Sequence, residues 1–181
     1  MGLFDMFKKK AAEKAPAKPA VPATVDVTVE ADTLYAPTTG KVIKMTDVPD
    51  PVFSGEVLGK GCAVWPDCDT VYAPVTGTVT VTMGHAIGLM TADGIEVLVH
   101  IGVDTVNLNG KGFTGYVKQG DEVVAGQPVI GIDRKVIADA GYPDCVVLAV
   151  SNSDDFAAVE LVAESESSVS AGTAVVKVTR K

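Results

Sequence analysis

The chain contains two histidines, His85 and His100, in 181 residues. Between them lie an apolar run (residues 86–90), the break Thr91-Ala-Asp-Gly94, and a second apolar run (residues 95–99). Asp-Gly in a short break between such runs signals a β-hairpin. Pairing Met90 with Ile95 across a four-residue loop carries the register outward until His85 stands directly opposite His100. Residues so opposed share one face of the sheet, with Cβ atoms about 5 Å apart. A β-bulge would shift the pairing by one residue and break it. Two facing imidazoles can ligate a metal or share a proton. They can also divide the work, one as nucleophile and the other donating a hydrogen bond to what the first carries.

The rest of the chain must hold this hairpin. From Val25 onward the sequence reads as short strands punctuated by Gly and Pro, which predicts an all-β antiparallel sandwich or barrel. Val25, Val27 and Val29 alternate with Asp26, Thr28 and Glu30 as in a half-buried strand. Helix is confined to about two turns each at residues 136–140 and 154–161. An internal echo, Leu34-Tyr-Ala-Pro-Thr-Thr-Gly-Lys-Val42 against Val71-Tyr-Ala-Pro-Val-Thr-Gly-Thr-Val79, predicts a structural duplication. Each copy reads as a proline-started turn, a glycine and a strand.

Charge and composition divide the chain into three parts. Residues 1–11 predict an amphipathic helix, with Leu3, Phe4, Phe7 and Ala11 as one stripe and Lys8 to Lys10 at its end. That combination suits weak contact with anionic lipid. Residues 12–24 form an Ala/Pro-rich linker, and residues 25–181 the folded domain. Residues 1–25 carry +3 of the net charge of −8, leaving −11 for the body. An acidic body disfavours nucleic acid as a partner and fits a partner with a basic docking patch. No apolar run is long enough to span a bilayer and no signal peptide is present, so a cytoplasmic, at most membrane-peripheral, location is expected. Cys62, Cys68 and Cys145 form neither a disulfide framework nor a CxxC pair, and are expected as small buried hydrophobes.

At this point the sequence resembles the glucose-family enzyme IIA of the bacterial sugar phosphotransferase system. The resemblance rests on Asp47-Val-Pro-Asp-Pro-Val-Phe53, Ala73-Pro-Val-Thr-Gly77, His85-Ala86, Val99-His-Ile-Gly-Val-Asp-Thr-Val106, Asn109-Gly-Lys-Gly-Phe113 and Val117-Lys-Gln-Gly120. It runs from about residue 31 to the end, and Met1-Gly-Leu-Phe-Asp5 resembles the membrane-touching helix of enterobacterial members. It implies a barrel-sandwich fold and a phosphocarrier without cofactor or metal. His100 matches the residue that accepts a phosphoryl group on Nε2 from phosphorylated HPr and hands it to a cysteine of a sugar-specific IIB domain. His85 matches its partner imidazole. Asp50 and Asp104 match flanking acids, and Val52, Phe53 and Val106 the apolar docking rim. Gly102 and the turn after His100 are expected to offer backbone N–H groups to the phosphoryl oxygens, and Asp104 to orient His100 or meet a basic donor residue.

Departures from the family pattern are local. Met83 stands where the family has a threonine two residues before its first histidine. Val81 and Leu98 replace aromatics of the enterobacterial members, and Cys62, Trp65 and Cys68 are atypical. Two rival readings are set aside. A biotinyl or lipoyl carrier needs a modified lysine at a hairpin tip, and Lys44-Met45 lacks the preceding methionine. A zinc hydrolase needs a third protein ligand, for which Asp50 or Asp104 would have to serve, and neither HxH nor HExxH occurs.

Overall fold

The computed structural model describes residues 20–181, so the expected helix at 1–11 and most of the linker lie outside the described residues. Among those described, fourteen strands run in chain order: β1 (Thr33–Tyr35), β2 (Gly40–Lys44), β3 (Lys60–Pro66), β4 (Thr70–Tyr72), β5 (Gly77–Met83), β6 (Ala86–Met90) and β7 (Glu96–Ile101). There follow β8 (Phe113–Gly115), β9 (Glu122–Val123), β10 (Pro128–Ile132), β11 (Val146–Val150), β12 (Phe156–Leu161), β13 (Ser168–Val169) and β14 (Ala174–Arg180). The only α-helices among the described residues are α1 (Pro51–Ser54) and α2 (Arg134–Asp139). Every strand pairing is antiparallel. The large sheet has the order β13-β2-β3-β11-β7-β6-β5-β9, and two three-stranded sheets, β1-β14-β12 and β4-β10-β8, pair off separately. This is the predicted β-sandwich.

The duplication extends well beyond the echo that announced it. Val169 pairs with Gly40 as Val123 pairs with Gly77, and Leu34 pairs with Val176 as Val71 pairs with Ile130. Tyr35 N–H donates to the Pro74 carbonyl at 2.9 Å, and Tyr72 N–H to the Pro37 carbonyl at 2.7 Å. The side chains of Thr39 and Thr76 accept from Ala171 and Ala125 N–H, each at 3.0 Å. The large sheet therefore has a pseudo-two-fold axis between β11 and β7, relating β3 to β6 and β2 to β5. Only the connections break it. The β2–β3 link is a long arm, residues 45–59, whereas Gly84 and His85 alone join β5 to β6.

Two apolar layers flank the large sheet. The main core, between the sheets, takes Val42, Val64, Val99, Ile101, Val146 and Leu148 among others. A smaller cluster on the opposite face contains Ile43, Met45, Val48, Phe53, Ala63, Val103, Cys145, Val147 and Ala149. Period-two alternation sends neighbouring residues of one strand into different layers, so β11 is buried on both faces. Cys62 and Cys145 are buried as expected, while Cys68 is half-buried with its sulfur 3.2 Å from Thr38 Oγ1.

Two expectations are corrected. Residues 25–29 pair with no strand: the segment runs extended, held where Val25 N–H donates to the Gly126 carbonyl and where the Tyr35 hydroxyl bonds to Thr28 and Glu30. Residues 154–161 are mostly β12, not helix. Pairing with β14 gives that segment ladder bonds that an isolated two-turn helix cannot match. The expected short helix at 136–140 is α2, whose N-terminus is capped by the Asp133 side chain accepting from Val136 N–H.

Candidate active site

His100 is the penultimate residue of β7, an interior strand of the large sheet. Across the ladders it lies in a row with Ala86, Val147, Ala63 and Ile43, so its side chain is on the face of the smaller cluster. The arm 45–59 covers that face. Asp50 caps α1, its Oδ1 accepting from Val52 N–H at 2.8 Å and Phe53 N–H at 3.1 Å, and Pro51 occupies the first helical turn. The cap sets the Phe53 ring against His100, with centroids 4.9 Å apart and planes at 56°. Phe53 is thus a buried wall of the site, while Val52 and Val106 stand exposed at 42% and 56%.

The hairpin register differs from the expected one by a single residue. Ala86, not His85, is opposite His100. The loop has three residues, Ala92 to Gly94, because Thr91 N–H bonds to the Ile95 carbonyl at 3.0 Å and Ile95 N–H returns to Thr91 Oγ1 at 2.9 Å. Gly94, at φ +90°, supplies the left-handed residue that such loops require. In register His85 pairs with Ile101, whose N–H donates to the His85 carbonyl at 2.7 Å. A regular strand would then point His85 away from His100. His85 is instead in the two-residue turn before β6, free of that alternation, and the two rings meet edge to face with centroids 4.9 Å apart and planes at 74°. The turn packs so closely on the loop after β7 that a Cβ on Gly84 would lie 2.9 Å from Gly110 Cα.

The His100 ring is held at one nitrogen. Nδ1 is 2.9 Å from the Gly102 carbonyl, so Nδ1 carries the proton and donates, leaving Nε2 with its lone pair free. Burial pushes the His100 pKa down to about 4. The nearby His85 adds to this, while the Gly102 carbonyl and Asp50 oppose it. Burial also lowers His85. Both imidazoles are therefore neutral at pH 7.

Gly102 contributes its carbonyl to the site and not its N–H, against expectation. Its N–H donates to the Cys145 carbonyl at 2.7 Å, and Val103 N–H to the Pro143 carbonyl at 3.1 Å. Neither is available to a bound anion. The exposed Asp104 has a left-handed backbone, φ 59°, and its side chain makes no hydrogen bond among the described residues. The Gly102 carbonyl, not Asp104, orients His100. Met83 is 51% exposed, and no side-chain hydrogen bond holds the His85 ring among the described residues. Phe113 instead stands beside His85, with centroids 6.5 Å apart. Sequence reasoning gave Phe113, Thr105 and Cys145 no role, although Thr105 and Phe113 fall inside the runs it singled out.

The rival chemistries fit less well. No group of three or more His, Cys, Asp or Glu able to hold a metal occurs among the described residues. Lys44 ends β2 at the long arm and is not at a tight hairpin tip. No helix among the described residues is long and apolar enough to cross a membrane.

Comparison with known proteins agrees with this fold. The family model for the phosphoenolpyruvate-dependent sugar phosphotransferase system, EIIA 1, matches residues 32–156, more than half of the chain. The glucose-specific EIIA component of Halalkalibacterium halodurans is 36% identical over 135 residues, 74% of this chain and 78% of that protein. The beta-glucoside-specific EIIBCA component of Bacillus subtilis is 40% identical over 125 residues, and the mannose-specific EIIBCA component of Corynebacterium glutamicum 38% over 150. These matches take in 68% and 82% of this chain but only 20% and 22% of those longer proteins. The chain thus spans about a fifth of the length of these multi-component relatives. The solved structure of glucose permease IIA from Mycoplasma capricolum superposes with a TM-score of 0.69 at 32% identity, covering 80% of this chain and 93% of that one. The chain belongs to the EIIA 1 family of the phosphoenolpyruvate-dependent sugar phosphotransferase system.

Proposed function

We propose that the chain is a cytoplasmic phosphocarrier for sugar uptake. His100 Nε2 takes a phosphoryl group from phosphorylated HPr, and a cysteine of a sugar-specific IIB domain removes it. The observation that carries this reading is the bond from His100 Nδ1–H to the Gly102 carbonyl, which leaves Nε2 as the unprotonated nitrogen. In the forward step the Nε2 lone pair attacks phosphorus while the phosphorus–nitrogen bond to the donor histidine breaks. The proton stays on Nδ1, hydrogen-bonded to the Gly102 carbonyl, so the product is a neutral-ring phosphoramidate reactive enough to pass on. In the second step a thiolate attacks phosphorus and the bond to Nε2 breaks. Charge spreads over the phosphoryl oxygens in both steps, so positioning and electrostatics dominate the rate. With the Gly102 and Val103 N–H groups engaged elsewhere, the His85 ring is the side-chain donor beside His100.

The exposed Val52 and Val106 give partners an apolar rim that excludes water when they dock. Asp50 and Asp104 give that rim negative charge for a basic face of the donor. Residues 1–11 add weak contact with anionic lipid, and vesicle sedimentation with and without residues 1–20 tests it. Equal binding by the truncated chain removes that part of the proposal.

The main reading is tested by incubating the chain with a phosphoenolpyruvate-driven relay containing HPr, then mapping acid-labile phosphate. Phosphate on His100 supports the proposal. Its absence, or its presence at another residue, overturns it.

A further inference from the structure

The tautomer of His100 depends on where one carbonyl points, and the bonds that fix that carbonyl can be followed back along the chain. The Gly102–Val103 peptide plane is held at both ends, its carbonyl by His100 Nδ1–H at 2.9 Å and its N–H by the Pro143 carbonyl at 3.1 Å. The preceding plane, Ile101–Gly102, is also held at both ends. Its N–H donates to the Cys145 carbonyl at 2.7 Å, and its carbonyl accepts the hydroxyl of Thr105. Apart from His100 itself, every partner but one is backbone. The exception is Thr105, fully buried at 0% exposure. Its methyl group also closes the space beside Gly102, where an added Cβ would lie 2.4 Å from Thr105 Cγ2 and 2.7 Å from the Pro143 carbonyl oxygen. Gly102 has φ +76°, so between two held planes the chain turns through a conformation open mainly to glycine.

We propose that Thr105 is a positioning residue for His100. Its hydroxyl anchors the Ile101–Gly102 plane, which aims the Gly102 carbonyl at Nδ1 and so keeps Nε2 free of its proton. Thr105 touches neither the phosphoryl group nor a partner and acts only through the backbone. The part concerning transfer rates rests on the phosphocarrier reading; the part concerning the tautomer does not.

The test is the tautomer itself, read from nitrogen-15 shifts of the imidazoles in the unphosphorylated chain at pH 7. The wild-type chain is expected to show His100 with Nδ1 protonated and Nε2 bare. Thr105→Val keeps the shape and removes the hydroxyl, and should populate the opposite tautomer. Loss of one neutral hydrogen bond corresponds to roughly a tenfold change in such an equilibrium. Thr105→Ser keeps the hydroxyl and loses the methyl, and should restore the wild-type tautomer. If Thr105→Val does not fold, Thr105→Ala replaces it, with Thr105→Ser as its control. An unchanged tautomer in the variant without the hydroxyl overturns the proposal. So does a shift of equal size in Thr105→Ser, which would assign the effect to the methyl contact. In a relay assay, Thr105→Val should slow phosphorylation of His100 by roughly tenfold in kcat with KM for phosphorylated HPr unchanged. Failure of the wild-type chain to take up phosphate would sink the phosphocarrier reading and leave the tautomer result standing.

Discussion

His100 and Ala149 occupy equivalent places about the pseudo-two-fold axis, as do His85 and Lys60. Ala86 pairs with His100 on one side as Gly61 pairs with Ala149 on the other, and His100 faces Val147 as Ala149 faces Leu98. Even the exits from the two strands agree: Gly102 N–H donates to the Cys145 carbonyl and Ser151 N–H to the Glu96 carbonyl. Only the half with β6 and β7 holds the two imidazoles. There the residue after the strand is Gly102, with positive φ and a carbonyl turned back to the ring; in the other half it is Ser151. The remaining difference is the link between paired strands. The two-residue turn Gly84-His85 brings one imidazole to His100, and the long arm 45–59 brings Phe53 and Asp50. Equivalent connections from the two halves both bring a ring to His100. About the candidate site the duplicated frame differs by one glycine, one short turn and one long arm, with the ladders almost unchanged.

The comparison can be broken most completely by His100→Gln. This variant makes the two halves alike in lacking a nucleophile, and no acid-labile phosphate should form in the relay. Stable phosphate on this variant would overturn the assignment of His100. His85→Gln retains an N–H donor but not the ring. Phosphorylation of His100 should persist while single-turnover transfer to a IIB cysteine falls by roughly 10²–10³, the usual cost of a lost contact to developing charge. Normal onward transfer would remove His85 from the mechanism.

A pH series compares the two halves through stability. His100 is held down to about 4 against 6.5 when unperturbed, chiefly by burial. Between those values the unfolded chain binds the proton and the folded chain does not, so stability falls as pH drops from about 6.5 towards 4. His85 is shifted in the same direction and adds to the slope. Urea unfolding at pH 7 and pH 5 should show the loss, and His100→Gln should flatten most of it. An unchanged slope would place the pH sensitivity elsewhere. The smallest effect is expected from Asp104→Asn, which leaves the ring geometry intact because the Asp104 side chain anchors nothing. It should slow phosphorylation by HPr a few-fold at low salt and less at high salt, since rim charge mainly sets the association rate. Equal rates at low salt would exclude a steering role.

Much of this was legible in the residues. The strand punctuation gave the sandwich, and the Tyr-Ala-Pro echo gave the duplication. The hairpin and its two histidines gave the candidate site. The register was missed because the break from Thr91 to Gly94 accommodates a three- or a four-residue loop, and the choice rests on the Thr91 hydroxyl reaching back to Ile95. That the rings meet regardless reflects His85 being a turn residue, which alternation arguments do not govern. The engagement of Gly102 N–H was hidden because its acceptor, Cys145, is distant in sequence. Residues 154–161 became a strand because β14 supplied a ladder, which no local propensity reports.

His100 lies on a strand with neighbours on both sides, β6 and β11, and close to the middle of the large sheet. Alternation along β7 turns the His100 N–H and C=O towards β11, which is buried on both faces, so its amide should exchange hydrogen only through openings near the full cost of unfolding. Fraying of a sheet edge does not reach His100, so the proposed nucleophile would present one geometry to each proposed partner. On the proposed reading, such a carrier keeps time by encounter: the dwell of a phosphoryl group would be set by the next collision.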